Sequence, residues 1–231
     1  MRMLLLACLM AASPMLNAAS EGAALPEFKV DLSNRAGLQR GARTFVNYCV
    51  SCHSAEFMRY ARVAQDLGLT PEQVQANMVF NGGDVNQVMH VALGKQDGAR
   101  WFGQAPPDLT LAARSRGADW LYGYLRSFYL DPSRPFGVNN TVFPNAAMPH
   151  VLVDLQGTQA LHDGHLEPVS AGALKAAEYD AMVRDLVNFM VYMGEPAKLV
   201  RYGLGIKVLL FLMVFAGLAY MVKHEYWRDV H

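Results

Sequence analysis

The sequence Tyr48-Cys49-Val50-Ser51-Cys52-His53 places two cysteines three positions apart and a histidine directly after the second. Cys-x-x-Cys-His is the attachment signature of c-type haem. Thiols at this spacing share one helical turn, so both can reach the haem edge and bond to its two vinyl groups. The next imidazole then points at the iron. We therefore predict one covalently bound haem c, attached through Cys49 and Cys52, with His53 as an iron ligand.

Three other uses of a Cys-x-x-Cys pair fit this sequence less well. A thioredoxin-like redox pair prefers a βαβ setting, which the sequence pattern does not show. A zinc site needs four ligands. The sequence has no second cysteine pair, and His162 and His165 lie far from the motif without a partner. A plain disulfide over so short a loop leaves His53 unexplained.

The sixth iron ligand distinguishes an electron carrier from a gas-binding or peroxidase-type haem, because a methionine raises the potential and blocks the iron. Met148 lies in an irregular stretch and is fixed by Pro149, which makes it the first candidate. His150, His90, Met89 and an open site remain as alternatives from the residues alone. Methionine at core spacing on a helix is usually filler, and this describes Met78, Met182, Met190 and Met193.

A second rigid element, Ala105-Pro-Pro-Asp-Leu-Thr110, lies near the middle of the chain. Pro106 and Pro107 restrict the backbone, and Asp108 or Thr110 can cap the helix that follows. The element is interpreted either as a plain helix entry or as a rigid wall beside the haem. Pro106 and Pro107 are therefore candidate haem-binding residues.

Charge and composition limit the possible functions. The chain of 231 residues has a formal net charge of zero and no basic run that could follow phosphates, which argues against nucleic-acid binding.

At the N-terminus, one arginine, an apolar stretch and then small residues have the layout of a secretory signal peptide, predicted over residues 1–19. One alternative is a buried first helix, but the segment lacks the caps and charges of such a helix. A lipoprotein signal is the other alternative, but the apolar stretch before Cys8 is too short for it.

The C-terminal apolar stretch, residues 199–222, is long enough to cross a membrane, because a span needs about 20 mostly apolar residues. A buried core helix is the alternative. Lys223 and Arg228 follow the stretch, as the positive-inside rule expects of a cytoplasmic end. The predicted organisation after the signal is a periplasmic haem domain over 20–200, a transmembrane anchor over 201–222 and a cytoplasmic tail over 223–231.

The remaining pattern predicts an all-α fold with long irregular loops. Apolar residues at helical spacing predict helices over 37–47, 119–129 and 171–193. A capping box that begins at Thr70 predicts another helix, which ends near residue 80. Residues 131–170 hold five prolines and little periodicity, so we predict an irregular segment there, and loops of that length are usually functional.

The motifs occur in an order that resembles one family. The haem signature is followed by the Pro-Pro-Asp-Leu element, by Ala118-Asp-Trp-Leu-Tyr122, by Phe143-Pro-Asn-Ala-Ala-Met-Pro149 and by the C-terminal anchor. Over nearly the whole chain, this order resembles the cytochrome c1 family, the haem subunits of the bacterial ubiquinol–cytochrome c oxidoreductase (cytochrome bc1 complex). The resemblance implies a haem domain similar to class I cytochromes c, plus one C-terminal transmembrane helix.

The resemblance also implies roles for single residues. The sixth ligand of the family is the methionine of its Met-Pro element, which matches Met148. The family has an arginine near a haem propionate, a little after the Pro-Pro-Asp-Leu element. Arg116 fits that spacing best, and Arg114 and Arg100 are its competitors.

For the protein as a whole, the resemblance implies an electron-transfer subunit of the bacterial inner membrane that is not catalytic alone. Its implied partners are cytochrome b, a Rieske iron–sulfur protein that reduces it, a c-type cytochrome that it reduces, and membrane lipid. The rival interpretations are another membrane-anchored carrier such as an oxidase subunit, a gas-binding haem protein, and a thiol-redox protein without haem.

Overall fold

The computed structural model describes residues 25–229, which are mainly helical. The helices in this range are α1 (Arg35–Tyr48), α2 (Tyr60–Leu67), α3 (Pro71–Met78), α4 (Lys95–Phe102), α5 (Ala112–Arg116), α6 (Ala118–Arg126), α7 (Val153–Gln156), α8 (Ala176–Gly194) and α9 (Lys198–Tyr226). The strands are β1 (Ala55–Arg59), β2 (Val88–Met89), β3 (Phe128–Leu130), β4 (Val138–Asn140), β5 (Gly157–His162) and β6 (His165–Ala171). They form three antiparallel pairs, β1–β2, β3–β4 and β5–β6.

Helix α8 packs along α1, and these two helices form the centre of the hydrophobic core. Phe45 of α1 meets Phe189 of α8, with their ring centroids 5.6 Å apart. The backbones approach closely at Gly41, where any side chain would overlap the carbonyl oxygen of Asp185. This packing fixes the C-terminal end of α1, and residues 49–53 follow directly from that end.

We predict that Gly41→Ala lowers the free energy of unfolding by about 3 kcal/mol, because the added methyl group meets backbone that cannot move aside. Urea unfolding followed by circular dichroism measures the effect. Gly94→Ala is the control within the same domain, since the nearest atom to a methyl group there is Asp97 Oδ2 at an ordinary contact distance of 3.6 Å. Equal stability of the two variants would contradict the close packing of α1 on α8.

The four predicted helices are present with shifted ends. Helix α3 begins at Pro71 with both bonds of the capping box that Thr70 starts, as predicted, but it ends at Met78. Helix α6 ends at Arg126, and residues 128–130 form β3 instead of continuing it. The buried Asn140 amide donates to the Tyr124 carbonyl at 2.8 Å and so occupies an acceptor of the last turn.

The expectation that residues 131–170 are irregular is only partly correct, because this segment contains β4, α7 and most of a β-hairpin. The hairpin joins β5 to β6 through Asp163 and Gly164, both with positive φ. Asp-Gly is a strong signal for a two-residue hairpin turn. Strand β6 also extends to residue 171, which is why α8 begins at Ala176 and not at the predicted position.

Helix α9 has the length and apolar composition of a membrane span, and its apolar window is not covered by the rest of the chain. Exposed leucine, valine and phenylalanine side chains run along it, which speaks against a buried core helix. Over residues 25–229, the fold is therefore a mainly helical domain with one C-terminal helix that can anchor it in a membrane. The predicted signal peptide and Cys8 lie outside the described residues, and the exact boundaries of the domain, anchor and tail stay predictions.

Candidate functional site

A cavity of about 570 Å³ lies between the end of α1, the segment 102–125 and the loop after β4. Its volume is in the range of cofactor sites. Pro106 and Pro107 border the cavity a few residues after the end of α4, and Met148 reaches it from the loop after β4. All seven residues predicted for the site line this one cavity: Cys49, Cys52, His53, Pro106, Pro107, Arg116 and Met148.

His53 is held in one tautomer. Its Nδ1 lies 2.7 Å from the carbonyl oxygen of Pro107, and because a carbonyl can only accept, Nδ1 carries the proton. Burial away from water lowers the pKa of His53 below its usual value. The hydrogen bond to Pro107 and the charge of Asp108 raise this pKa by smaller amounts. The imidazole is therefore neutral near pH 7, and Nε2 keeps a free lone pair, which is the form that binds a metal.

The two cysteines are not joined to each other by a disulfide, and they line the cavity together. Loss of water, with a smaller contribution from Cys52, raises the pKa of Cys49 to about 12. A thiol–disulfide redox pair needs a thiolate of lowered pKa. The environment of Cys49 therefore argues against the thiol-redox interpretation and agrees with thiols that are placed to bond to a haem edge.

The loop that carries Met148 is organised by two asparagines at the end of β4. Asn140 is fully buried, and its Oδ1 accepts hydrogen bonds from the backbone N–H groups of Val142 and Phe143 at 2.9 and 3.1 Å. Asn139 Oδ1 accepts from the backbone N–H of Asn145 at 2.8 Å. These bonds fix both ends of the turn, and Met148 then reaches the cavity three residues later.

The competing sixth ligands do not line the cavity. His150 turns away and stacks on Phe128, with ring centroids 4.9 Å apart and an interplanar angle of 2°. His90 is exposed, and Met89 is buried in strand β2. Met190 of α8 does line the cavity, although its helical spacing indicated only a core role, so it is the remaining rival of Met148.

Arg116 lies at the exposed edge of the cavity. Its guanidinium carbon is 5.1 Å from the ring centroid of Trp120 and 5.5 Å from that of Phe143. Cation–π contacts at these distances hold an arginine in one place while its N–H groups stay free to bind an anion. Arg100 pairs instead with Asp97 on α4, and neither Arg100 nor Arg114 lines the cavity.

One wall of the cavity is aromatic, and sequence reasoning did not identify it. Trp120 and Tyr124 stack with centroids 4.9 Å apart, and Phe143 meets Trp120 edge-on at 6.0 Å. Loss of water raises the pKa of Tyr124 to about 12, so its phenol stays neutral. Aromatic residues spaced by four on α6 are a signal for a shared face, but the loop residue Phe143 joins them only through the fold.

The Pro-Pro-Asp-Leu element does not cap a helix as predicted. Helix α5 begins at Ala112, and its N-cap residue, Leu111, makes no side-chain cap. The side chains of Asp108 and Thr110 instead accept hydrogen bonds from the backbone N–H groups of Glu56 and Phe57, just after the haem signature. Of the two interpretations of this element, the structure favours a wall of the cavity.

A model of the cytochrome c1 family matches residues 28–230, which is most of the chain. The chain belongs to the cytochrome c1 family. A cytochrome c1 of Allochromatium vinosum is 46% identical over the full length of both chains. A protein of Nitrosomonas europaea named ammonia monooxygenase gamma subunit is 47% identical, over 90% of this chain and 89% of its own. A chain of a hyperthermophilic respiratory complex III aligns over 100% of both chains, with a TM-score of 0.48 and 16% identity.

Proteins of the cytochrome c1 family carry a covalently bound c-type haem, and the cavity of this member fits that group. Two thiols, a neutral imidazole and a thioether face one space, with aromatic side chains on one wall and an arginine at its edge. When bound, the haem supplies a one-electron couple. The chain's own residues attach it, exclude water from it and provide candidate ligands.

Proposed function

We propose that this chain is the membrane-anchored, one-haem electron-transfer subunit of a ubiquinol–cytochrome c oxidoreductase. It takes electrons from a Rieske iron–sulfur protein and passes them to a c-type cytochrome, and its anchor packs beside cytochrome b. The observation that carries this proposal is the cavity in which His53 and Met148 accompany the two cysteines. An imidazole and a thioether would together complete the ligands of a haem iron, which suits electron transfer and not the binding of a substrate.

Each site residue has a role in this proposal. Cys49 and Cys52 attach the haem, and His53 and Met148 ligate the iron. Arg116 binds a propionate, which its exposed guanidinium at the cavity edge supports. Pro107 fixes the tautomer of His53 through its carbonyl oxygen. Pro106 packs against α4, where a methyl group on Gly98 would come within 2.7 Å of its Cδ.

The proposed orientation places the haem domain in the periplasm of a bacterial inner membrane. A signal peptide over residues 1–19 exports the domain, residues 201–222 span the membrane, and residues 223–231 stay in the cytoplasm. Lys223 and Arg228 beyond the span support this orientation. The haem is then held close to the membrane surface, where quinol oxidation takes place.

The name of the Nitrosomonas relative suggests a second setting, a subunit of a monooxygenase. The 47% identity to that protein is the observation in its favour. The cavity residues favour electron transfer in this setting too, because the proposed methionine ligand leaves no iron position for oxygen. The oxidoreductase and the monooxygenase settings therefore differ in the proteins with which this chain would exchange electrons.

Isolation of the intact complex tests the proposed partners. The chain is tagged at its C-terminus, extracted in mild detergent and mixed with ubiquinol in a stopped-flow spectrometer. We expect b-type haem and an iron–sulfur subunit to copurify, and we expect the c-type band to be reduced only when that subunit is present. Oxidised cytochrome c should then reoxidise the c-type band. Copurification with oxygenase subunits, or reduction without the iron–sulfur subunit, would contradict the proposal.

A further inference from the structure

Asp108 lies at the point where the Pro-Pro-Asp-Leu element meets the haem signature. Its Oδ2 accepts hydrogen bonds from Ser54 Oγ at 2.8 Å and from the Glu56 backbone N–H at 2.7 Å. Its Oδ1 accepts from the Thr110 backbone N–H at 2.9 Å. One carboxylate thus joins two segments that are more than 50 residues apart in the sequence.

These bonds lie directly beside the hydrogen bond between His53 and Pro107. Ser54 follows His53 directly, and Asp108 follows Pro107 directly. The Ser54–Asp108 hydrogen bond and the His53–Pro107 hydrogen bond therefore join the same two segments at adjacent positions. The Leu109 N–H also donates to the Ser54 carbonyl at 2.9 Å. A shift of Asp108 therefore changes the direction of the Pro107 carbonyl toward Nδ1 of His53.

We propose that Asp108 is a positioning residue for His53: its carboxylate fixes the Pro107 carbonyl that accepts the Nδ1 proton, and so tunes the imidazole as an iron ligand. Groups that bind the far nitrogen of a ligating histidine fix its orientation and raise its basicity. A more basic imidazole favours the ferric state, so Asp108 holds the reduction potential down. Burial opposes ionisation of Asp108, but hydrogen bonds from Thr110, Glu56 and Ser54 keep its pKa below the usual value.

Asparagine cannot replace this carboxylate. Both carboxylate oxygens accept bonds from donors, and two of those donors are backbone N–H groups that cannot reverse. An amide at this position turns its NH₂ toward one of the two and loses that bond, together with the negative charge. Loss of the hydrogen bond and loss of the negative charge both favour the ferrous state, so both raise the reduction potential.

The test compares variants of the full-length haem-loaded protein in detergent. For Asp108→Asn we expect the reduction potential to rise by about 59 mV, which corresponds to a tenfold change in the ferric–ferrous equilibrium constant. We also expect the ¹⁵N resonance of His53 Nδ1 in the ferrous protein to move toward the position of a weaker hydrogen bond. Ser54→Ala removes one bond without removing the charge, and should give a smaller shift of both quantities in the same direction.

Asp66→Asn is the matched control. The Asp66 carboxylate is also largely buried and hydrogen-bonded, to Arg62 and Tyr192, but it does not contact the cavity. This variant should lose stability while keeping the wild-type potential and Nδ1 resonance. If Asp108→Asn behaves like this control, Asp108 is merely structural and the proposal is wrong. If Asp108→Asn does not fold, an unchanged Nδ1 resonance in Ser54→Ala overturns it.

This inference rests on His53 as an iron ligand under the proposed function, and the wild-type spectrum checks that assignment separately. Absence of a low-spin c-type spectrum would overturn the ligand assignment itself. A normal wild-type spectrum with an unchanged potential in Asp108→Asn overturns only the role of Asp108.

Discussion

Met148→Leu is expected to convert the reduced protein from a form that ignores carbon monoxide to one that binds it. Leucine fills nearly the same volume as methionine but offers no lone pair, so the iron would lose its proposed sixth ligand while the cavity stays packed. The reduction potential should also fall, on the order of 100 mV, because a thioether ligand favours the ferrous state. Visible spectra with and without carbon monoxide, followed by a redox titration, measure both effects.

Met190→Leu is the decisive comparison, because Met190 is the second methionine that lines the cavity. It lies on α8 and is 4% exposed, so its replacement tests packing around the haem without removing the proposed ligand. We expect this variant to keep the wild-type spectrum. If Met190→Leu binds carbon monoxide and Met148→Leu does not, the ligand assignment is reversed.

Asn140→Ala should be among the most damaging substitutions outside the haem ligands. Its side chain is fully buried, donates to the Tyr124 carbonyl at 2.8 Å and accepts from Ser127 Oγ at 3.0 Å, besides its bonds to the methionine loop. Alanine leaves several buried polar groups without partners, so we expect a loss of about 3 kcal/mol in the free energy of unfolding. Urea unfolding followed by circular dichroism measures this loss.

The same variant should also weaken the sixth ligand. Once the turn after β4 loses its bonds to Asn140, the Asn139 bond still holds one end of it, so Met148 is held less firmly toward the cavity and we expect partial carbon monoxide binding. Asn47→Ala is the control, because the exposed Asn47 amide bonds only to a carbonyl of its own helix. Full stability of Asn140→Ala, with no carbon monoxide binding, would contradict the role given to Asn140.

The haem signature could be recognised from the sequence because its chemistry is local. Cys49, Cys52 and His53 lie within five residues, so one short segment sets their spacing whatever the remaining chain does. The Met-Pro element was a candidate for a similar reason, since its proline restricts the loop. The single tautomer of His53 could not be foreseen, because its acceptor lies 54 residues further along the chain.

The strands show where pattern reasoning is weak. Hairpin β5–β6 is largely exposed and has no regular alternation of apolar residues, so periodicity gave no signal. Its turn, Asp163-Gly164, did carry a readable signal that was missed. His150 shows the opposite difficulty: it lies two residues from Met148, and only the stacking on Phe128 reveals that it faces away.

The visible spectrum of the purified, reduced wild-type protein, before and after addition of carbon monoxide, tests the electron-transfer assignment most directly. We predict a low-spin c-type spectrum that carbon monoxide does not change, because the proposed ligands, the His53 imidazole and the Met148 thioether, would leave no iron position open. A new spectrum on addition of carbon monoxide would show an open or easily displaced position, and would contradict the assignment of this chain as a dedicated electron carrier.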